Sequence, residues 1–422
     1  MSRKVLVENF LSLVLVQIAN YLLPLVTLPY LARVIGVEKF GVISFANAVI
    51  TYFIILTTFG FNFSAPREIS VIRDNKEKLR EVFWCVLYSK FFLCLISSVI
   101  FVFLLLTVPK FNIEWIVFVF TFFSVIGNAF FPLWFFQGIE KMSYLAIFNF
   151  LTKILYAISI FLFIKTKQHY VYVPLFYSIS QIISSFGSLF LIIFYFGLKP
   201  VLIDLKKIWF MLKDSLLLFI STLSINLYTK IHPVLLGFFA GDIYVGYYSA
   251  AERLFYAWLG IQGQLNTTFY PYMSKIAQQR GKGETLKTAK KVLLAMMTLA
   301  LPSTLITFIF ARRIIFLMYG KEFFESIIVL RILSLLFVVV GLSNIFGVQL
   351  MLPFNMKKEF SFTTVSAGVA NLVFGLLLIP VYKHIGAAVS FFISEVIVAF
   401  TMFIILRRKI SKFEINESRV EK

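Results

Sequence analysis

The sequence predicts an all-α polytopic membrane protein with about twelve transmembrane helices, and three observations carry that prediction. Hydrophobic residues make up 60% of the 422-residue chain and Phe alone occurs 52 times, whereas a soluble domain is ~45–50% apolar even with Gly counted. Asp, Glu, Lys and Arg together reach only 14%, against ~25% in soluble domains, too few to cover that apolar surface. The apolar residues also fall in near-continuous runs of the ~20 residues that a helix needs to cross a bilayer. Strands of a membrane barrel would instead be alternating segments of ~10 residues. Soluble, disordered, collagenous and disulfide-rich classes are excluded.

Twelve runs can be read in order, at roughly 8–33, 41–63, 83–107, 114–137, 144–165, 173–197, 215–238, 246–271, 291–311, 327–352, 361–382 and 387–406. The first follows Arg3 and Lys4 in the manner of a signal peptide, but it is too long for a signal h-region and no cleavage-site pattern ends it. It therefore reads as a span, and Asn20, Pro24 and Pro29 predict a bend in it because proline removes a backbone hydrogen bond. The third run holds both cysteines, Cys85 and Cys94. Nine residues of helix set them ~13 Å apart on opposite faces, so they cannot pair. No CxxC or HExxH pattern suggests a metal site.

Sorting the basic residues by loop gives the orientation. With the N-terminus inside, 26 of the 40 Lys and Arg fall on the inner side and nine on the outer side, and Lys90, Lys153, Lys230, Arg253 and Arg331 remain within spans. That asymmetry predicts cytoplasmic termini. It also accounts for the net charge of +20, which in a soluble protein would suggest nucleic acid and here does not. The expected organisation is an N-terminal lobe at 1–198, a cytoplasmic linker at 199–213, a C-terminal lobe at 214–410 and a cytoplasmic tail at 411–422. An internal repeat supports two halves: Gly36–Ala46 and Gly241–Ala251 both read G-x4-G-x2-S-x-A, 205 residues apart. Six helices per half imply a parallel repeat, with a site expected at the interface between halves.

Catalytic motifs are missing: there is no GxSxG, no HExxH and no dinucleotide fingerprint. The segment Arg280–Thr285 (RGKGET) fails as a phosphate loop, since Ile276 stands where Gly is needed and Gly283 follows the Lys. It reads as a basic loop near anionic headgroups. No enzyme, cofactor or metal is expected. The informative residues are the charges in spans, each costing at least ~2.5–3.5 kcal/mol at mid-bilayer. Lys153, Lys230 and Arg253 lie deep enough to favour a water-filled cavity, with Lys90 a further candidate. Arg33 and Arg331, near outer ends, are equally open to snorkelling. The carboxylates are fewer: Glu252 and Glu395, with Glu8 near an inner end. Glu252 reads equally as a helix-to-helix partner, for example of Lys230, or as an ion-coupling group. A cavity with more cations than anions suits an anionic substrate such as a phosphate or pyrophosphate. His169, His232 and His384 stand isolated in the sequence.

The stretches 20–36 (NYLLPLVTLPYLARVIG), 134–142 (WFFQGIEKM) and 246–254 (GYYSAAERL) resemble the bacterial lipid-linked oligosaccharide flippases of Wzx type, in the multidrug/oligosaccharidyl-lipid/polysaccharide exporter superfamily. The last stretch is also similar to the lipid II flippases, whose functional arginines would correspond to Arg253 and Arg33; those proteins commonly carry two helices more. The resemblance implies two V-shaped six-helix lobes working by alternating access. It further implies an undecaprenyl-pyrophosphate-linked oligosaccharide, moved from the cytoplasmic to the periplasmic leaflet of the inner membrane for O-antigen or related polysaccharide synthesis. A proton or sodium gradient would drive it, among membrane lipids and alongside a polysaccharide polymerase and chain-length regulator. On this reading Arg253, Lys230, Lys153, Arg33, Lys90 and Arg331 bind substrate, and Glu252 and Glu395 are coupling candidates. The alternatives are a multidrug antiporter of the same superfamily, which predicts an acidic cavity, and a non-transporting membrane subunit of cell-wall synthesis.

Overall fold

A computed structural model describes the backbone of residues 3–420 and the side chains of 23, 26–227, 229–266, 269–281 and 283–409. The side chains of Glu8, Asn20 and Pro24 lie outside the described residues. Among the described residues every regular segment is helical, the only open-ended element that satisfies its own backbone in lipid. The chain forms two compact units, Met1–Asn226 and Leu227–Lys422.

Unit 1 contains α1 (Arg3–Thr58), α2 (Phe61–Ile72), α3 (Lys76–Thr107), α4 (Pro109–Ile113), α5 (Trp115–Phe130), α6 (Leu133–Gly138), α7 (Met142–Phe163) and α8 (Tyr172–Phe194). The helix α9 (Leu205–Phe239) spans the division between units. Unit 2 continues with α10 (Asp242–Gln279), α11 (Gly281–Met318), α12 (Ser326–Asn344) running into a π-helical segment Ile345–Met351, and α13 (Lys357–Val420). The sequence set a linker at 199–213; residues 199–204 are irregular, and helix begins at Leu205. Residues 411–420, the expected tail, continue α13.

The twelve expected spans all fall on these helices. Nine stretches among the described residues are long and apolar enough to cross a membrane, and two of them, Val26–Ile72 and Lys357–Lys409, each reach into two of the expected spans. The eighth span falls on α10. Backbone breaks separate the fused spans. In α1 the break is Gly36 (φ 75°, ψ 169°) and in α13 it is Lys383 (φ 52°, ψ −128°). Gly241, the counterpart of Gly36 in the second half, has φ 102° and ψ 167°. Only glycine reaches that region cheaply, so the repeat is one of backbone conformation as well as sequence.

Each unit also ties the turns between its spans with a carboxylate at the start of its fourth span. In unit 1, Lys39 Nζ donates to Glu114 Oε1 (2.8 Å), Tyr170 OH donates to Glu114 Oε2 (2.6 Å), and the ammonium sits 4.5 Å from the Tyr170 ring. In unit 2, His384 Nε2 lies 3.5 Å from Glu325 Oε2, the His384 ring stacks on Tyr244 at 5.5 Å, and Lys383 Nζ donates to Tyr244 OH (2.8 Å). Tyr244 occupies the repeat position of Lys39, 205 residues on.

The core of unit 1 is aromatic around Phe83, Trp134, Phe135 and Phe136. Its α8 presents a buried row of Ser178, Ser184, Ser185 and Ser188. Small residues let membrane helices approach closely: Thr152 donates to Ser184 (2.7 Å), Ser178 donates to the Phe120 carbonyl (2.7 Å), and Ser185 donates to the Gly127 carbonyl. The core of unit 2 is methionine-rich, with Met273, Met296, Met351, Met356 and Met402 buried.

Candidate functional site

In unit 1 the central feature is Lys90. It is 1% exposed, on the face of α3 that also buries Phe83, Val86, Cys94, Ser97 and Phe101. That face is anchored at one end by Phe83 against Trp134 and Phe135 (ring centroids 5.4 and 5.2 Å) and at the other by Phe101 against Phe53 and Phe122 (5.9 and 4.2 Å). Lys90 forms no ion pair among the described residues, and the buried Ser97 hydroxyl has no hydrogen-bond partner there. Lys153 is half-buried on α7, and Arg33 is exposed three residues before the Gly36 break.

In unit 2 the structure brings together residues that the sequence left scattered. Tyr248, Glu252 and Tyr256 recur every four residues along α10, hence on one face. Glu252 is 7% exposed, and its Oε1 and the Tyr248 hydroxyl are buried without a hydrogen-bond partner among the described residues. Lys230 on α9 places its ammonium 3.5 Å from the Tyr256 ring centroid, a cation–π contact, while the Tyr256 hydroxyl donates to the Thr229 carbonyl (2.7 Å). Lys230, Glu252 and Arg253 are electrostatic neighbours. Glu395, also 7% exposed, and Glu252 both act on Tyr256. Of the remaining candidates, Arg331 is turned to a neighbouring helix: Nε donates to the Phe308 carbonyl (3.3 Å) and the guanidinium lies 5.5 Å over the Phe308 ring.

Two polar groups in unit 2 escaped the sequence. His232 is fully buried, its Nε2 3.0 Å from Ser390 Oγ and its ring 5.5 Å from Tyr248. Ser394, one turn beyond Ser390, lies 3.4 Å from Asn371 Oδ1. His232 and Ser390 are 158 residues apart, so no local spacing announced the cluster. The second group is a set of amides. Gln349, in the π-helical segment, donates to the Asn266 carbonyl (3.1 Å), and the side-chain oxygens of Gln262, Asn266 and Gln349 are buried and unpartnered among the described residues. Here a signal existed: Gln262 and Asn266 stand four apart on α10, and π segments concentrate at functional sites.

Two units of packed apolar helices, interrupted by buried charges that helix packing does not require, define a multi-pass membrane transporter. Solved structures with the same fold include the inward-facing conformation of a multidrug resistance MATE family transporter of the MOP superfamily (TM-score 0.71, 16% identity, covering 96% of this chain and 99% of that one) and the lipid II flippase MurJ in an inward closed conformation (TM-score 0.69, 16% identity, 96% and 88%). Residues 6–277 match the family described as polysaccharide biosynthesis protein. Relatives described as "Putative O-antigen transporter" come from Escherichia coli strain K12 (32% identical over 402 residues, 95% of this chain and 96% of that protein) and Shigella dysenteriae (25% over 405 residues, 94% and 98%). The chain belongs to the polysaccharide biosynthesis protein family, and the resemblance to Wzx-type flippases read from the sequence is borne out.

Proposed function

We propose that this protein is a flippase for an undecaprenyl-pyrophosphate-linked oligosaccharide. It moves the repeat unit from the cytoplasmic to the periplasmic leaflet of the bacterial inner membrane, with both termini cytoplasmic and an ion gradient as the driving force. Membership of the family and the relation to O-antigen transporters support the substrate class. The observation that carries the reading is the buried ammonium of Lys90 in unit 1. Lys90, buried in unit 1 with no ion pair among the described residues, needs an anion to offset its desolvation, and a diphosphate supplies one through charge-assisted hydrogen bonds.

Lys90, Lys153, Lys230, Arg253 and Arg33 are the proposed phosphate and acidic-sugar contacts. Arg331, held by Phe308, has the weakest claim among them. The buried amides of Gln262, Asn266 and Gln349 offer acceptors for sugar hydroxyls. For coupling, the unpartnered oxygen of Glu252 is an acceptor that a proton would complete. Glu395 and the His232–Ser390 pair are further candidates. The likeness to a MATE transporter is one of fold alone. The test is Arg253→Ala in cells that display the glycan: insertion and protein level stay normal and glycan display is lost. Normal display with that variant overturns the assignment.

A further inference from the structure

Two cavities in unit 1 share a wall on the stretch that joins α8 to α9. The first is an apolar groove of about 430 Å³. Trp84, Tyr88, Phe91 and Phe92 of α3 form one side, Phe130 of α5 closes one end, and Ile208 of α9 lines it too. The second, of about 420 Å³, is polar, and Glu77, Lys78, Arg80, Glu81, Asp204 and Lys207 line it. Leu202 and Ile203 line both. Trp84 fixes the joining stretch by donating to the Leu198 carbonyl (3.0 Å). Leu202 is 95% exposed, and with Leu205, Trp209 and Phe210 it forms an uncovered apolar edge beside Lys206 and Lys207. An apolar edge flanked by lysines is the composition of a segment lying in the headgroup layer of a bilayer.

We infer that this paired cavity holds one membrane phospholipid, acyl chain in the apolar groove and headgroup in the polar compartment, and that the preferred headgroup is zwitterionic with a primary ammonium, as in phosphatidylethanolamine. The choice follows from the charges. Three cations and three carboxylates line the polar compartment. Glu81 and Lys207 pair with each other, which leaves Lys78 and Arg80 for a phosphate and Glu77 and Asp204 for an ammonium. The N-terminus of the 32-residue α3 opens beside the same compartment and favours the phosphate. An anionic headgroup would satisfy the cations and leave the two carboxylates unmet; a quaternary ammonium cannot donate hydrogen bonds to them. The site is separate from the proposed substrate contacts, so its test is independent of the flippase reading.

The experiment is native mass spectrometry of the purified full chain in detergent, titrated with phosphatidylethanolamine, phosphatidylglycerol, phosphatidylcholine or undecaprenyl phosphate. The wild type is expected to retain one phosphatidylethanolamine about fivefold more tightly than the other phospholipids, the scale of one exposed charge contact. Glu77→Gln with Asp204→Asn keeps the side-chain oxygen that caps α9 at the Lys206 amide and should move the preference to phosphatidylglycerol. Leu202→Asp, at a side chain 95% exposed and so outside the packed core, should abolish retention of every class. Equal or tighter retention of phosphatidylglycerol by the wild type overturns the inference. So does preferential retention of undecaprenyl phosphate, which would make the groove a substrate contact, and so does unchanged lipid retention in Leu202→Asp.

Discussion

Lys90→Met separates a structural lysine from a functional one. The side chain is 1% exposed, packed between two aromatic clusters, and has no carboxylate among its described neighbours. Burying one charged group costs several kcal/mol even after relaxation, and replacing buried charge by apolar groups of similar volume has stabilised proteins by about 1–4 kcal/mol. Methionine matches the length of lysine and tolerates irregular packing. For a unit running from Met1 to Asn226, each kcal/mol moves the unfolding midpoint by about 2–4 °C. Lys90→Met should therefore raise the thermal unfolding temperature of the purified protein by about 2–16 °C. If the ammonium holds a substrate phosphate, the same change removes a charge-assisted hydrogen bond of about 1.5–3 kcal/mol, a loss of about 10- to 150-fold in flipping rate. The assays are a thermal melt and a reconstituted lipid-flipping measurement on one preparation. A lower melting temperature would mean that Lys90 makes stabilising contacts and that the unpaired-charge argument is wrong. A higher one with unchanged flipping would remove it from the substrate path.

Gly60 is left-handed (φ 77°), and a Cβ there would stand 2.7 Å from Leu218 Cβ of α9, so Gly60→Ala should cost at least ~2 kcal/mol. Gly281→Ala, at φ 72° with open space around it, should lose only the conformational part of ~1 kcal/mol; equal losses in thermal melts would show that the close approach to α9 is not tight. Glu252→Gln should leave the fold intact and remove the dependence of flipping on an imposed pH or sodium gradient in proteoliposomes; retained dependence excludes Glu252 as the coupling group. Glu114→Gln should lower stability by ~1–2 kcal/mol, because both carboxylate oxygens are engaged and its ion pair is half-buried. Glu325→Gln, whose single 3.5 Å contact involves a half-exposed carboxylate, should change it by less than ~0.5 kcal/mol.

The spans were legible because crossing lipid demands ~20 apolar residues in a row, and that demand is written locally. Which way each span faces was not. On α3, Phe91, Phe92, Leu95, Ile96 and Val99 meet the outside while Phe83, Val86, Lys90, Cys94 and Phe101 meet the protein. Both faces are apolar, so hydrophobic periodicity, which marks the buried side of a soluble helix, has nothing to contrast. The depth of Lys90 could be counted from the sequence; its complete burial could not. Arg331 shows the converse, since its placement near an outer end fitted snorkelling or a cavity equally and the structure ties it to Phe308. The His232–Ser390 contact depends on bringing α9 to α13, a pairing no local spacing encodes.

The internal repeat explains how one scaffold carries two different interiors. Gly36 and Gly241 adopt matching backbone angles, and each unit ties one end to a carboxylate at the same span. The chemistry on that frame has nevertheless diverged. Position 39 is the cation of the clamp in unit 1, while its counterpart Tyr244 is the aromatic, with Lys383 and His384 supplied from the opposite turn. Inside, unit 1 ties its helices through serine and threonine hydroxyls that donate to another hydroxyl or to a backbone carbonyl, and it buries the Lys90 ammonium with no ion pair among the described residues. Unit 2 buries Glu252, Glu395 and His232 in a setting rich in tyrosine. A lone buried cation asks for an anion, and a buried carboxylate with an unpartnered oxygen asks for a proton or a metal cation. The closing of each end is therefore common to the two halves. The carboxylates buried in unit 2 are the groups that call for the driving ion, and they share that unit with Lys230 and Arg253, the phosphate contacts proposed there.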